Sequence, residues 1–167
     1  MKYGYNVIAN TFWTDEKVVK WDIDTKLLAA YILSCSHKMT EGIFRIPKNY
    51  ITADLGMEKE RLDKAFAKLL EDDFIKYDED TNILFITKAL KYNAPDNPNQ
   101  EKSAIKCLER LPKTYLLDEF IASAKKYKES FFERLDKRFG EPQTQTLTHT
   151  LTQEQTQKQT QKQTQKK

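Results

Sequence analysis

The chain has 167 residues, of which 39% are hydrophobic and 32% charged, and its formal net charge is +3. This length suits one domain with an appendage and excludes a large multidomain enzyme. The two cysteines, Cys35 and Cys107, are isolated, which excludes a disulfide scaffold and a cysteine-rich zinc module. No apolar run approaches the roughly 18 residues of a membrane span, and the N-terminus lacks the apolar stretch of a signal peptide. We therefore expect a cytoplasmic protein without a membrane partner.

The positive charge is concentrated in the rear of the chain. Residues 1–100 hold 14 Lys/Arg against 16 Asp/Glu, whereas residues 101–140 hold 10 against 7 and residues 141–167 hold 4 against 2. Attraction of a polyanion by bulk charge therefore has to come from the rear third.

Two helices are predicted in the N-terminal part, after an extended stretch from Asn6 to Trp13. Thr14-Asp15-Glu16 opens a short helix, and a longer one begins at Asp24, whose carboxylate suits an N-cap. Behind Asp24, apolar residues recur at helical spacing and give one apolar face: Leu27, Leu28, Tyr31, Ile32 and Cys35.

A helix-turn-helix is predicted next. A short strand, Gly42 to Pro47, leads into a helix from Lys48 to Asp54, because proline suits the first position of a helix. Gly56 ends that helix, and a second one runs from Glu58 to Asp72. Two helices joined by a tight turn that contains glycine are typical of the helix-turn-helix.

A hairpin follows the second helix. Phe74 to Tyr77 and Ile83 to Thr87 read as strands, and the acidic stretch 78–82 forms the turn between them. The order helix, strand, helix, turn, helix, hairpin is that of a winged helix-turn-helix. We therefore expect a mainly α chain with a small antiparallel sheet, an α+β fold, followed by C-terminal helices and a disordered tail.

The rear of the chain divides at its prolines and glycines. A Pro/Asn-rich linker precedes a helix from about Gln100 to Leu111, and an apolar stripe then predicts one long helix from Tyr115 to Phe139. That stripe either packs on the winged core or mediates self-association through Tyr127 to Phe139. The predicted divisions are a winged domain at 1–92, the linker at 93–99, a helical extension at 100–140 and a Gln/Thr/Lys-rich tail at 141–167.

No catalytic constellation is present in the sequence. Phosphate-binding loops, dinucleotide fingerprints, zinc-protease motifs and nucleophile elbows are all missing, so we expect neither an enzyme nor a cofactor. His37 lies two residues from Cys35, but a zinc site needs four ligands, so no metal site is expected.

The helix-turn-helix is the element whose residues indicate a function, the binding of DNA. The helix after Gly56 suits the major groove, and the candidate contacts to base edges and phosphates are Lys59, Arg61, Lys64 and Lys68. Arg45 and Lys48 are candidate backbone contacts. Two features argue against contact between this helix and DNA. Glu60 and Lys64 have the i,i+4 spacing of an ion pair, which would neutralise Lys64, and the acidic hairpin tip repels phosphate. Lysines of the rear helices and tail either supply phosphate contacts or only keep the chain soluble.

Several segments resemble the N-terminal winged-helix region of phage replication initiation and replisome-organiser proteins, which are related to the DnaD primosome family. They occur in order along the chain: Phe12-Trp13-Thr14-Asp15-Glu16-Lys17-Val18, Asp24-Thr25-Lys26-Leu27-Leu28, Gly42-Ile43-Phe44, Leu55-Gly56, Ile75-Lys76-Tyr77-Asp78, Asn97-Pro98-Asn99 and Leu111-Pro112. The resemblance covers about residues 5–140. One departure is Glu58, which stands where many such proteins begin the recognition helix with Ser or Thr.

The resemblance implies a protein of the bacterial cytoplasm that binds double-stranded DNA at a phage or prophage origin. It further implies that the protein works as a homo-oligomer and helps to recruit helicase-loading factors. Two alternatives are a transcriptional regulator and a module that binds proteins and not DNA.

Overall fold

The structure is a computed structural model that describes residues 6–140. A 3-10 turn, Asn10–Phe12, precedes eight helices and three strands within this range. In chain order they are α1 (Glu16–Lys20), α2 (Ile23–Ser34), β1 (Ile43–Arg45), α3 (Lys48–Leu55), α4 (Lys59–Glu71), β2 (Ile75–Asp78), β3 (Ile83–Ile86), α5 (Ala89–Asn93), α6 (Pro98–Leu108), α7 (Leu116–Tyr127) and α8 (Glu129–Phe139).

Aspartates cap the first two helices. Asp15 accepts hydrogen bonds from the first-turn backbone of α1, which confirms the predicted short helix. The predicted N-cap of α2 was wrong: Asp22 accepts from Thr25 N at 2.7 Å, and Asp24 lies inside the first turn. Both aspartates suit a cap, but the helix begins after the earlier one, and the Asp24 carboxylate accepts from Arg61 on α4. The segment before α1 is not extended throughout, since it contains the 3-10 turn.

The helix-turn-helix forms as predicted. α3 begins directly after Pro47 and ends at Gly56, whose φ of +58° is the left-handed conformation that glycine adopts without steric cost. α4 then packs its apolar face against α2. The buried residues of that face are Leu62, Ala65, Phe66 and Leu69.

The three strands form one antiparallel sheet in the order β1-β3-β2. Tyr77 lies opposite Leu84 in the hairpin, and Ile43 lies opposite Phe85 in the other strand pair. All four residues of β3 are buried, so both faces of the central strand are covered. The mainly helical fold with a small antiparallel sheet and a winged helix-turn-helix arrangement is therefore confirmed.

The two faces of the sheet pack against different helices. Successive side chains of a strand point to opposite faces. Tyr77 meets Phe66 of α4 in a T-shaped contact of 5.1 Å between ring centroids, whereas its neighbour Lys76 forms an ion pair with Glu119 of α7. The C-terminal helix α7 therefore covers the face of the sheet that α4 leaves free.

The predicted single helix from Tyr115 to Phe139 was wrong. The backbone breaks at Lys128, with φ −154° and ψ 84°, and α7 and α8 lie on either side of it. The break brings Phe131 of α8 to Phe120 of α7 in an edge-to-face contact of 6.2 Å between centroids. One residue outside helical conformation hardly disturbs an apolar repeat, so the periodicity did not reveal the break.

Within the described residues, the chain divides between Arg134 and Leu135 into two compact units. The second unit is described only to Gly140, whose N–H donates to Asp136 O at 2.7 Å. The predicted linker at 93–99 is too long: α5 extends to Asn93 and α6 begins at Pro98, which suits the first turn of a helix, so residues 94–97 separate them. Asn97 caps α6 by accepting from Asn99 N and Gln100 N. The predicted disordered tail, residues 141–167, lies outside the described residues. None of the described helices has the length and apolar character that crossing a membrane requires.

Candidate nucleic-acid interface

The outward face of α4 is open to solvent. Its apolar residues point towards α2 and the sheet, and α7 lies on the other face of the sheet. The residues that remain exposed along α4 are Lys59, Glu60, Arg61, Asp63, Lys64, Ala67, Leu70 and Glu71. A groove of nucleic acid can therefore approach this helix without displacing any described element.

Lys59 and Lys64 are the two available cations of this face. Both side chains are exposed, and neither forms an ion pair or hydrogen bond with another described residue. The Glu60–Lys64 pair that the i,i+4 spacing favours is not formed within the described range. These two lysines keep their full hydrogen-bonding capacity for a ligand.

Arg61 is already engaged by Asp24 of α2. Its Nε donates to Oδ2 at 2.8 Å and its Nη2 donates to Oδ1 at 2.5 Å, so the guanidinium binds the carboxylate in a bidentate way. The hydrogen bond from Arg61 holds the pKa of Asp24 below its usual value. Because the Arg61 side chain is still 55% exposed, a phosphate can reach it only in competition with Asp24.

Lys68 is directed to the C-terminal end of α4. Its Nζ lies 2.9 Å from Glu71 Oε2 and 3.3 Å from Asp72 Oδ1. The hydrogen bond to Glu71 is the main cause that raises the pKa of Lys68. Lys68 therefore neutralises the acidic end of its own helix, and this arrangement does not support its expected role as a DNA contact.

Lys48 is held inside the winged domain. Its ammonium forms an ion pair with Glu79 of the hairpin turn and lies 4.7 Å from the ring centroid of Phe66 and 5.2 Å from that of Tyr77. A cation over two aromatic faces and beside a carboxylate fastens α3 to the hairpin. Its position therefore supports a structural role in place of the expected phosphate contact.

Arg45 lies at the hairpin end of the sheet. It is the last residue of β1 and pairs with Ile83, the first residue of β3 after the turn. Its side chain is exposed and forms no ion pair with another described residue. Arg45 thus places a free guanidinium beside the wing.

The acidic hairpin tip is largely engaged within the chain. Asp78 accepts from the Thr114 hydroxyl at 2.6 Å and from Asp80 N at 3.1 Å, and the Thr114 bond is the main cause that lowers its pKa. Glu79 is paired with Lys48. The repulsion expected from three carboxylates is therefore reduced, and Asp80 is the one that stays exposed without an ion pair among the described residues.

The N-terminus of α4 lacks a side-chain cap within the described residues. Glu58 occupies the N-cap position, and its carboxylate accepts no hydrogen bond from the first turn. The first-turn N–H groups therefore carry the positive end of the helix dipole towards solvent, next to Lys59.

Two acidic partners were missed from the sequence, Asp24 for Arg61 and Glu101 for Arg134. Glu101 is 5% exposed in its side chain, accepts from the Ser130 hydroxyl at 3.0 Å, and lies 2.6 Å from Arg134 Nε. Arg134 therefore ties α8 to α6. Each pair joins residues more than 30 positions apart, so no local sequence pattern indicates the pairing.

The remaining sequence candidates do not form a metal site. His37 stacks on Tyr50 with 5.6 Å between centroids, and Cys35 is buried, which raises the pKa of its thiol. Among the described residues, no group of His, Cys, Asp and Glu side chains has an arrangement that could hold a metal ion.

Comparison with known proteins finds no matching family model, no significantly similar curated protein and no significantly similar solved structure.

Proposed function

We propose that the protein binds double-stranded DNA, with α4 lying in the major groove and the hairpin beside the phosphate backbone. The observation that supports this is the open face of α4, which carries Lys59 and Lys64 without acidic partners among the described residues. α4 has 13 residues and is therefore about 20 Å long, a length that suits insertion into a major groove.

The two lysines serve different parts of the duplex. Five positions of an α-helix separate them, which turns one from the other by about 140° around the axis. Lys64 lies near the middle of the outward face and suits a base edge, whereas Lys59 in the first turn suits a flanking phosphate. Arg45 at the wing end supplies a second phosphate contact, because its guanidinium is exposed there.

The rear helices support the same function by their charge. Residues 101–128 contain seven Lys/Arg and four Asp/Glu, and two of those acids are bound by Arg134 and by Lys76. The exposed cations of this region include Lys102 and Lys106, four residues apart on α6. Their field attracts a polyanion in general, while α4 supplies contacts at defined positions.

The resemblance described above supports a narrower proposal. It favours an origin of replication in a phage or prophage as the DNA target, and helicase-loading factors as the partners recruited there. Selection of bound fragments from a library of the surrounding genome distinguishes this role from transcriptional regulation, because origin fragments are enriched in the first case and promoter fragments in the second.

Fluorescence anisotropy with a labelled duplex at several salt concentrations tests DNA binding. The variant Lys59→Ala/Lys64→Ala is expected to bind more weakly, and the slope of log K against log salt is expected to fall by about 1, because only Lys59 contacts a phosphate and each lost phosphate contact removes about 0.9. The matched control is Lys20→Ala/Lys88→Ala, which removes two exposed lysines outside α4 and the hairpin.

Equal loss of affinity in both double variants would show that bulk charge, not α4, carries binding. A further full-length variant with Lys158, Lys162, Lys166 and Lys167 replaced by Gln measures the share of the tail. If that variant alone loses binding, α4 is not the reader of the DNA.

A second candidate function is protein binding without DNA. Its support is that the charges without an ion pair near the start of α4 are not net positive among the described residues, with Lys59 and Lys64 set against Glu58, Glu60 and Asp63. No binding to any duplex even at low salt favours this function over the first.

A further inference from the structure

The middle of the outward face of α4 is formed by four side chains. Glu60, Lys64, Ala67 and Glu71 follow one another at intervals of four, three and four residues, so they lie within about 60° of one another around the helix axis. All four are exposed, on the side of α4 away from its buried residues. Glu71 is bound by Lys68, which leaves the other three for a ligand. We call Glu60, Lys64 and Ala67 the outward stripe.

The two charges of the outward stripe are opposite and are not used within the described part of the chain. Neither Glu60 nor Lys64 forms an ion pair or hydrogen bond with another described residue. A carboxylate beside a lysine does not suit a phosphate, because the carboxylate repels the charge that the lysine attracts. The two together suit the base edges in a major groove, which present donors and acceptors side by side.

Each side chain of the outward stripe favours a particular base by its chemistry. A carboxylate only accepts, and the donors in the groove are the N4 amino group of cytosine and the N6 amino group of adenine. Adenine also presents the acceptor N7 beside N6, which repels a carboxylate, so Glu60 favours cytosine. The ammonium of Lys64 only donates and favours guanine, which presents two acceptors, O6 and N7. The methyl group of Ala67 suits the methyl group of thymine.

We propose that the outward stripe determines the base sequence that α4 prefers, an inference that rests on the proposed binding of duplex DNA. Glu60 accepts from cytosine N4, and Lys64 donates to guanine O6 and N7. The rise from Glu60 to Lys64 along the helix is about 6 Å, close to two base-pair steps of about 3.4 Å, and the rise from Glu60 to Ala67 is about 10.5 Å, or three steps. The preferred site therefore holds the cytosine, the guanine and a thymine within about four base pairs.

Glu60 contributes to specificity mainly by rejecting other sequences. Opposite a base that offers no donor, its carboxylate loses water and gains no hydrogen bond, and the phosphates still repel it. A wrong base pair at this position is therefore expected to weaken binding by about 5- to 100-fold, the usual range for one mismatch in a site. Lys59 and Arg45, which contact phosphates in the proposed complex, add affinity without sequence preference.

Selection of duplexes from a library with a randomised central segment tests the proposal on the full chain. Sequencing of the bound fraction is expected to show cytosine at one position and guanine about two steps away. Glu60→Gln is expected to change the cytosine to adenine, because glutamine pairs with adenine N6 and N7, and to leave the guanine unchanged. Lys64→Ala is expected to lose the preference for guanine and to keep the cytosine.

Glu58→Gln is the matched control for Glu60→Gln. It makes the same substitution and removes the same charge two residues earlier, at the N-cap of α4, where the carboxylate accepts no hydrogen bond from the first turn. The control is expected to strengthen binding to all duplexes alike and to keep the cytosine. The same change of base in both variants would show that charge, and not a contact by Glu60, sets the preference, and would overturn the proposal.

Fluorescence anisotropy with two duplexes that differ only at the cytosine position measures the size of the effect. The unchanged protein is expected to bind the duplex with cytosine about 5- to 100-fold more tightly than the duplex with adenine, and Glu60→Gln is expected to reverse that order. Enrichment of duplexes without any base preference, or a preference that Glu60→Gln leaves intact, overturns the proposal while DNA binding stands. No binding to any duplex at low salt overturns the proposed function and this inference together.

Discussion

Trp21 donates its indole N–H to Asp72 Oδ2 over 2.5 Å, so the residue that ends α1 is bonded to the residue that ends α4. Lys17 of α1 adds a bond from its Nζ to Asp72 O at 2.7 Å. Near the other end of α4, Arg61 grips Asp24 at the start of α2. The candidate DNA-binding helix is therefore fixed at both ends by the first two helices of the chain, which determines the direction of its open face.

Replacing Asp72 by Ala is expected to destabilise the fold by about 1–2 kcal/mol, because the buried Trp21 N–H loses its acceptor. Urea unfolding followed by circular dichroism measures the loss, and Trp21 fluorescence reports the changed surroundings of the indole. Asp63→Ala is the control, since it removes an exposed carboxylate of α4 that has no ion-pair partner among the described residues. A loss of the same size in both variants contradicts a specific role for the Trp21 bond.

Replacing Asp24 by Asn is expected to strengthen DNA binding, because the Arg61 guanidinium is freed for a phosphate. Anisotropy titration against duplex DNA should show tighter binding and a steeper salt dependence. Asp54→Asn is the matched control, because it removes the same charge from the helix-turn-helix but releases no cation: Asp54 accepts from the Tyr31 hydroxyl at 2.6 Å. An equal gain in both variants would mean that net charge alone is responsible.

Gly42 and Gly56 both have positive φ, yet substitution should affect them unequally. Gly56 has open space around a would-be Cβ, so Gly56→Ala should cost only the left-handed strain of about 1–2 kcal/mol. A Cβ on Gly42, whose φ is +79°, would overlap the Cβ of Ala89, and Gly42→Ala should cost more, about 3–5 kcal/mol. Thermal unfolding compares the two.

The contact between position 42 and Ala89 allows a compensating substitution. Adding Ala89→Gly to Gly42→Ala removes the overlapping Cβ and is expected to recover part of the lost stability, although the φ strain remains. If Ala89→Gly worsens the Gly42→Ala variant, the close approach of β1 and α5 is not the reason for the glycine.

Glu41 should make the protein less stable as pH rises above the acid range. The side chain is 7% exposed, and burial raises its pKa, so the folded state holds its proton at pH values where the unfolded chain has released it. Stability therefore falls as pH rises from the unfolded value of about 4.3 through the raised pKa. Glu41→Gln is expected to raise the melting temperature at pH 7 and to change it little at pH 4.

Asp72 gives a pH dependence of opposite sign. The hydrogen bond from Trp21 lowers the pKa of Asp72, so the contribution of Asp72 to stability is present above the unfolded value of about 3.9 and is lost as pH falls through the lowered pKa.

The control for the Glu41 prediction is Glu16→Gln, which removes a charge from the exposed first turn of α1. Comparing Glu41→Gln with Glu16→Gln isolates the effect of burial. Equal melting shifts at pH 7 would contradict the explanation from Glu41 burial.

The fold was predictable wherever local chemistry decides it. Pro47 and Gly56 bound α3, and the apolar positions of α4 repeat at helical spacing, so both helices were placed within two residues. The pairing of β1 with β3 joins segments about 40 residues apart and has no local signal. The break at Lys128 was missed because no proline or glycine marks it in the sequence.

The candidate site was predictable in position but not in composition. Helical spacing placed all four cations of α4 on or beside its solvent face. Which of them is available depends on acids elsewhere in the fold, such as Asp24 for Arg61. The same holds for Lys48 of α3, which is paired with Glu79 and lies over the Phe66 ring. Lys59, Lys64 and Arg45 are exposed and form no ion pair with another described residue, as a contact to DNA requires.

The central place of β3 makes the ladder of β1 depend on a later part of the chain. Because the strand order is β1-β3-β2, the two earlier strands are not neighbours and have no ladder to form with each other. The backbone groups of β1 find their strand partner in Ile83–Ile86, beyond the helix-turn-helix in the sequence. Pairing β1 with β3 therefore also fixes the two ends of the segment that contains α3 and α4.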